Sequence, residues 1–380
     1  MSADPILPGQ TIGILGGGQL GRMFTIAARQ MGYRVHTMDP TSDCPTGQIA
    51  DLQITASYDD VEAARQFAHG VDVVTFEFEN VPASTLAAIE EIRPVHPSPQ
   101  TLDTCRHRLH EKDFLTRHGL PVARYQRVSN VDELRAARES LGANCILKSA
   151  EFGYDGKGQV QLSSGIDLDR AWKLMGRSIG VVEAFVNFER EISVIVARTA
   201  GGECKTFEPF GNDHRNHILD TTVCPADLPP AVTRQAIELA TTIAESFELV
   251  GVLAVEMFLQ RDGTLLVNEL APRPHNSGHL TIDACVTSQF EQQLRAICGL
   301  PLGDPTLLTP AAMANLLGDV WQTGEPNWPA ALKHPAVHLH LYGKHTPKPG
   351  RKMGHLTATA RTSAEARNRV ELARRELVIK

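Results

Sequence analysis

The sequence predicts a mixed α/β and α+β chain in three consecutive parts, residues 1–100, 101–300 and 301–380, and three observations lead there. An apolar strand runs into a glycine cluster and then into a helical pattern at T-I-G-I-L-G-G-G-Q-L-G-R-M (11–23), the opening of a parallel α/β unit. Beyond 101 the strands shorten and glycine-bearing turns separate them. The cluster G-L-P-L-G-D-P (299–305) then closes that stretch as a domain boundary does.

In the first part the helical pattern places Leu20, Met23, Phe24, Ala27 and Met31 on one face, and strands follow at Arg34–Met38 and Val71–Phe78. Helical stretches between them give a small parallel domain, whose functional rim is the carboxyl ends of its strands. The middle part opens on a helix over Thr101–His118. Its strands are Ala143–Lys148, Gln159–Leu162, Gly180–Val186 and Glu191–Ala197. The last part holds strands at Val337–Tyr342 and Met353–Ala360, and a closing helix Ser363–Glu376 whose spacing of apolar and basic residues suggests a solvated cover.

Composition narrows the function classes. An apolar content of 42% and a charged content of 21% are ordinary globular values, so the 380-residue chain folds throughout and has room for more than one domain. A net charge of −7 argues against a nucleic-acid partner and requires any anion site to be locally concentrated. The seven cysteines lack a C-x-x-C pair, which fits neither a disulfide framework nor a zinc site and implies a reducing compartment. MSADPILPGQ carries no basic n-region, and nowhere do eighteen apolar residues run together, so the expectation is a cytoplasmic protein with no membrane partner.

The most informative stretch is V-L-A-V-E-M-F-L-Q-R-D-G-T-L-L-V-N-E-L (252–270), two apolar runs joined around Asp262-Gly263. Asp-Gly favours a two-residue type I′ hairpin, and pairing outward from it sets Glu256 directly opposite Glu269. Carboxylates so opposed repel by about 4 kcal/mol at ~4 Å and an effective dielectric near 20. A divalent cation relieves this, and two carboxylates suit Mg²⁺ bound together with substrate phosphates. The alternative is a register off by one, or two solvated glutamates that never meet.

A second pattern is C-I-L-K-S-A-E-F-G-Y-D-G-K-G-Q-V-Q-L (145–162), where Lys148 ends a strand and Gly153, Gly156 and Gly158 form a loop before the next. Such glycines let successive N–H groups turn toward phosphate oxygens, with Lys148 and Lys157 adding charge. It is not a Walker A loop, since a strand follows it, and a flexible hairpin would read the same way. In G-V-V-E-A-F-V-N-F-E-R-E (180–191), backbone groups of Glu183, Ala184, Phe185 and Val186 could read an adenine edge, and Glu191 could accept from ribose hydroxyls. A half-buried strand is the alternative.

Together these elements resemble the ATP-grasp superfamily. Three segments narrow the resemblance to its 5-(carboxyamino)imidazole ribonucleotide synthases: G-G-G-Q-L-G-R-M (16–23), F-G-Y-D-G-K-G-Q (152–159) and N-E-L-A-P-R-P-H-N-S-G-H (268–279). E-F-E-N (77–80) and P-G-R-K-M-G-H (349–355) extend it almost end to end. The resemblance implies an ATP-grasp fold with a Rossmann-like pre-ATP-grasp domain, a central ATP-grasp domain and a small C-terminal β-rich barrel or sandwich. It further implies a stand-alone bacterial-type enzyme, a homodimer, that carboxylates aminoimidazole ribonucleotide with ATP and bicarbonate in purine synthesis.

Carried over residue by residue, the resemblance implies an ATP site of Arg108, Lys148, Gly153, Tyr154, Asp155, Gly156, Lys157, Gly158, Gln159, Glu183, Ala184, Phe185, Val186, Glu191 and His214. Glu256 and Glu269 would hold Mg²⁺ with Asn268 beside them, although hairpin alternation sends Asn268 to the other face. Gln19, Leu20, Glu77, Tyr154, Asp155, Lys344, Arg351 and Lys352 would meet the ribonucleotide, the cations together with Lys348 forming a dense late cluster. Arg273, His275 and Asn276 would grip bicarbonate or carboxyphosphate, and Asp155 is a candidate to accept the amine proton.

Three other readings compete. Gly16, Gly18 and Gly21 follow a strand and precede Asp39 at about the spacing of a dinucleotide fingerprint, which suits an NAD-dependent oxidoreductase but leaves the middle part unexplained. A formate-dependent glycinamide ribonucleotide transformylase shares the nucleotide architecture, but H-N-S-G-H (275–279) departs from its H-D-T-G pattern. A nucleotide-binding subunit without turnover is disfavoured because both carboxylates and both lysines are present.

Overall fold

The computed structural model describes residues 4–151 and 158–378. The opening strand Thr11–Leu15 (β1) is central in a parallel sheet with Arg34–Met38 (β2), Leu52–Ile54 (β3) and Val73–Phe76 (β4), ordered β3-β2-β1-β4. β4 is shorter than the expected Val71–Phe78, and β3 went unforeseen because three residues are too few to show alternation. Helix Gln19–Gln30 buries Leu20, Met23, Phe24 and Ala27 in one cluster with Phe290, Leu294 and Ile297 of helix Gln289–Ile297. The first part is thereby packed onto the middle one.

The single helix expected over Thr101–His118 is two, Pro99–Arg106 and Arg108–Arg117. His107 breaks it with extended backbone (φ −116°, ψ 109°), and its side chain accepts from the His110 N–H as the cap of the second helix.

Two antiparallel sheets complete the architecture. The smaller joins Tyr125–Val128 (β5), Cys145–Ser149 (β6), Gln159–Leu162 (β7) and Gly180–Ala184 (β8) in the order β5-β8-β6-β7. The larger uses Phe188–Arg198 (β9), Cys204–Thr206 (β10), Phe210–Arg215 (β11), Ile218–Cys224 (β12), Gly251–Gln260 (β13) and Leu265–Ala271 (β14). It continues through Ala311–Leu317 (β15), Val337–Leu341 (β16) and Lys352–Thr359 (β17), ordered β14-β13-β9-β11-β12-β15-β17-β16, with β10 paired to β9. The last part of the chain therefore extends the central sheet through the β12–β15 pairing. Helix Ser363–Glu376 covers that extension, burying Ala366, Val370 and Ala373 and leaving its charged face in water.

One buried ionic cluster ties helix Arg108–Arg117 between the sheets. Lys112, 1% exposed, sets its Nζ 3.6 Å from Glu183 Oε2 and donates to the Asn268 carbonyl at 3.2 Å. Lys148 Nζ lies 3.1 Å from the same Glu183 oxygen, while Glu111 Oε2 accepts from the Leu270 N–H at 2.8 Å. Burial pushes the Glu183 carboxyl up, but Lys148, Lys112 and Arg108 outweigh it and hold it down to about 2. Removing one partner of such a buried set leaves charges uncompensated, at a cost of about 3–5 kcal/mol.

Glu183→Gln is therefore expected to lower stability by about 3 kcal/mol at pH 7, read as a shift in the urea midpoint. A depressed carboxyl stabilises above its ordinary value of 4.5 and loses that contribution as pH falls toward 2, so the gap between the two proteins should narrow over that window. An unchanged midpoint at pH 7 would refute the role given to this cluster.

Candidate functional site

The β13–β14 hairpin brings the two predicted carboxylates together by a different route from the one its turn suggested. Thr264 O accepts from the Gln260 N–H at 2.9 Å and Gln260 O from the Gly263 N–H at 3.0 Å, so the loop is Arg261-Asp262-Gly263. Gly263 takes the left-handed conformation (φ +87°) of a three-residue hairpin loop. Next to the turn the register is consequently one residue off the expectation: Leu259↔Leu265, Phe258↔Leu266, Met257↔Val267. A bulge at Asn268 then absorbs the difference, and Glu256↔Glu269, Val255↔Leu270 and Ala254↔Ala271 pair as predicted. The bulge also breaks the alternation that had assigned Asn268 to the far face.

Each carboxylate has a cationic or imidazole group in contact with it among the described residues. His275 Nε2 lies 3.2 Å from Glu256, and Arg108 Nη1 lies 3.6 Å from Glu269. Burial, followed by the Glu269 charge, pushes Glu256 up to about 7; the same two causes raise Glu111 to about 8. Burial lowers the Arg108 guanidinium, but Glu269, Glu183 and Glu111 more than reverse it. Arg273 Nε is 2.7 Å from Glu79 of the first part. Burial, then Arg273 and Lys352, holds His275 well below its ordinary range and therefore neutral. Asn276 is buried, with both side-chain polar atoms unpartnered among the described residues.

A small cavity of about 90 Å³ opens here, lined by Glu79, Arg106, Arg108, Glu111, Glu269 and Arg273. A wider concavity of about 530 Å³ involves Thr104, Asp113, Arg117 and Tyr125 and includes neither carboxylate. The small cavity brings three guanidinium groups beside the carboxylates of Glu79, Glu111 and Glu269, and Glu256 lies outside its lining.

Lys148, one residue before the end of β6, pairs with Gln159, and Gly158 O accepts from the Ser149 N–H at 2.7 Å. Gly153, Tyr154, Asp155, Gly156 and Lys157 lie outside the described residues. The Glu183 side chain belongs to the buried ionic cluster, and the N–H groups of Ala184 and Phe185 donate to Arg124 O and Asn144 O. Those two N–H groups are therefore already engaged and not available to an adenine edge. Glu191 and His214 are in contact; burial lowers the imidazole and Glu191 raises it further than that.

At the first sheet, the Glu77 carboxylate accepts from the N–H of Gly18 and, at 2.8 Å, of Gly21. A Cβ on Gly16 would stand 2.4 Å from Glu77 Cγ, and one on Gly18 2.6 Å from its Oε1. Gly17 N–H donates to Asp39 Oδ2 at 2.7 Å. A dinucleotide's pyrophosphate would need this helix N-terminus, and Glu77 fills it, which removes the physical basis of the oxidoreductase reading. Lys344 Nζ donates to Gln19 Oε1 at 2.6 Å and to Lys352 O at 2.7 Å, so the late cationic segment meets the glycine turn. Arg351 donates to Thr346 O at 2.9 Å, and the Leu20 side chain is in the core. Sequence reasoning missed Glu79, Glu111, Lys112 and Gln289, whose surroundings are set by tertiary packing alone.

Three family models match in chain order: a ribonucleotide synthetase preATP-grasp domain over 9–106, an ATP-grasp domain over 113–290, and a phosphoribosylaminoimidazole carboxylase C-terminal domain over 311–369. The N5-carboxyaminoimidazole ribonucleotide synthase of Bacillus subtilis (strain 168) is 46% identical over 357 residues, covering 94% of this chain and 93% of the relative. That of Brucella melitensis biotype 1 is 44% identical over 363 residues, covering 94% and 98%. Among solved structures, an N5-carboxyaminoimidazole ribonucleotide synthetase in complex with ADP superposes with TM-score 0.93 at 44% identity, covering 98% of both chains. The Aspergillus clavatus enzyme, in complex with ADP and aminoimidazole ribonucleotide, gives TM-score 0.90 at 32% identity, covering 97% of this chain and 98% of its own. Identity at this level across nearly the whole length, on the same fold and with the same three domains in order, makes the chain a member of the N5-carboxyaminoimidazole ribonucleotide synthases, ATP-dependent ligases of the ATP-grasp fold.

Proposed function

We propose that the chain carboxylates the exocyclic amine of aminoimidazole ribonucleotide with bicarbonate, at the expense of ATP and through carboxyphosphate, with Mg²⁺ held by Glu256 and Glu269. The observation that carries the reading is the opposition of those two carboxylates beside Arg108 and Arg273. The residues fit the metal: two carboxylates are opposed, and Glu256 is pushed up to about 7 by burial and then by the Glu269 charge, a repulsion that a cation between them would relieve. When bound, Mg²⁺ would neutralise phosphate charge at the transferring group.

The chain's own groups supply the rest. Arg108 and Lys148 bind ATP phosphates, and Glu191 with His214 orients the ribose. Arg273, neutral His275 and Asn276 grip bicarbonate as its oxygen attacks the γ-phosphate, a step that needs chiefly positioning and charge neutralisation. Gln19, Glu77, Lys344, Arg351 and Lys352 hold the ribonucleotide. Asp155 takes the amine proton as nitrogen captures the carboxyl carbon and the bond from that carbon to the phosphate oxygen breaks, releasing inorganic phosphate. Supporting this, the Aspergillus clavatus relative binds ADP and aminoimidazole ribonucleotide together. Division of the chain near residues 100 and 300, a homodimeric state and a cytoplasmic location belong to the same reading.

ADP formation is expected to require both aminoimidazole ribonucleotide and bicarbonate, and formate should not replace bicarbonate; turnover with glycinamide ribonucleotide and formate would transfer the chain to the transformylases. Glu269→Gln should abolish ribonucleotide-dependent phosphate release while leaving the fold intact, and near-normal turnover would refute the metal assignment. Because a proton and Mg²⁺ compete for Glu256, apparent affinity for Mg·ATP should weaken below pH 7, by up to about tenfold per unit, and level off above it. Calorimetric titration at pH 6, 7 and 8 checks this, and a flat profile counts against it.

A further inference from the structure

We infer that Gln289 is the positioning residue of the anion-gripping segment 273–276, an inference that rests on the assignment of bicarbonate to Arg273, His275 and Asn276. Gln289 opens helix Gln289–Ile297 and is fully buried. Its Oε1 accepts from the His275 N–H at 2.8 Å, and its Nε2 donates to the His275 carbonyl at 2.7 Å. The side-chain amide thus acts as a neighbouring strand's peptide group would, engaging both backbone groups of one residue in a segment just beyond the end of β14. Its orientation is not interchangeable: Oε1 faces a group that only donates, and Nε2 one that only accepts.

The second N–H of Nε2 lies 3.3 Å from His279 Nδ1. An amide nitrogen cannot accept, so His279 Nδ1 accepts and the neutral imidazole carries its proton on Nε2. One side chain therefore fixes a backbone and a tautomer in the same motif. The clamp is itself held: Gln289 N–H donates to Thr281 Oγ1 at 3.0 Å, and that hydroxyl donates to Gly278 O at 2.6 Å. A Cβ on Gly278 would stand 2.7 Å from Gln289 Oε1 and 2.2 Å from Ile195 Cδ1, so the loop closes over the amide only as glycine.

With its backbone held, the His275 ring spans from Glu256, 3.2 Å from Nε2, to the Ser277 hydroxyl, 2.9 Å from Nδ1. Gln289 touches neither that ring nor the carboxylates. It acts through His275, and displacing a reacting group by 1 Å costs about a hundredfold in rate.

The test is Gln289→Glu, which preserves volume and one acceptor but turns a carboxylate oxygen toward His275 O and His279 Nδ1. Expected is a loss of about tenfold or more in kcat/KM for bicarbonate, with ADP affinity within about twofold of wild type. Nitrogen NMR of wild-type His279 should show the Nε2–H tautomer, with Nδ1 becoming protonated in the variant. Unchanged bicarbonate kinetics in the folded variant, or an Nδ1–H tautomer in the wild type, overturns the inference. Should the variant fail to fold, the wild-type tautomer decides. ADP formation by the wild type that does not depend on bicarbonate overturns instead the reading on which the inference rests.

Discussion

Two glutamates facing each other across adjacent strands are the constraint to which the rest of this molecule answers. Like charges directly opposed destabilise a sheet, and here neither strand can slide to relieve them. β13 is fixed on its other side by pairing with β9 along ten of its residues, and β14 carries a bulge that returns the glutamates to register. What surrounds the pair is graded in sign. Arg108 meets Glu269, neutral His275 meets Glu256, and Arg273 is held close by Glu79. Under the metal assignment proposed above, a divalent cation would relieve the repulsion that remains between the carboxylates.

Much of this was legible in residue order, and the failures have physical causes. The glutamate pair could be read because Asp-Gly marks a turn and strands count in twos. Two deviations of one residue, a three-residue loop and a bulge at Asn268, cancel at Glu256, so the pair was reached through a wrong intermediate. The helix break at His107 was hidden because nothing in R-H-R-L-H-E-K signals it. Nothing in the sequence marks Glu111 and Lys112 as buried, yet both are, because a second element covers the helix face they occupy. Gln289 was invisible for a similar reason. A polar residue opening an amphipathic helix gives no sign that its amide faces a loop fourteen residues earlier.

The glycine turn illustrates how one pattern supports different chemistry. Strand, glycines and helix are present as a dinucleotide fingerprint requires, and Gly17 and Asp39 are hydrogen-bonded. The difference is Glu77, whose carboxylate lies where a diphosphate would sit and which is pushed up by burial even as the N–H groups of Gly21 and Gly18 pull it down. With the helix terminus already supplied with an anion, the turn serves as a wall. Lys344 crosses from the far end of the chain to Gln19 beside it. A cationic segment thus reaches the glycine turn, where the ribonucleotide is proposed to bind through side chains.

Helix Arg108–Arg117 explains why the bulge is tolerated. β14 is an edge strand, and a bulge leaves one residue out of the ladder. Arg108, Glu111 and Lys112 are spaced i, i+3 and i+4, so they project from one helical face. That face addresses three successive residues of the strand: Lys112 donates to Asn268 O, Arg108 pairs with Glu269, and Glu111 accepts from Leu270 N–H. The backbone groups that the irregularity would strand in the interior are thereby satisfied, and the same contacts orient the Glu269 side chain. Lys112 continues to Glu183, and Glu183 to Lys148, so the residue proposed for the metal and the one proposed for the phosphates share one buried framework. A substitution at Lys112, Glu183 or Lys148 therefore acts on stability and on site geometry together.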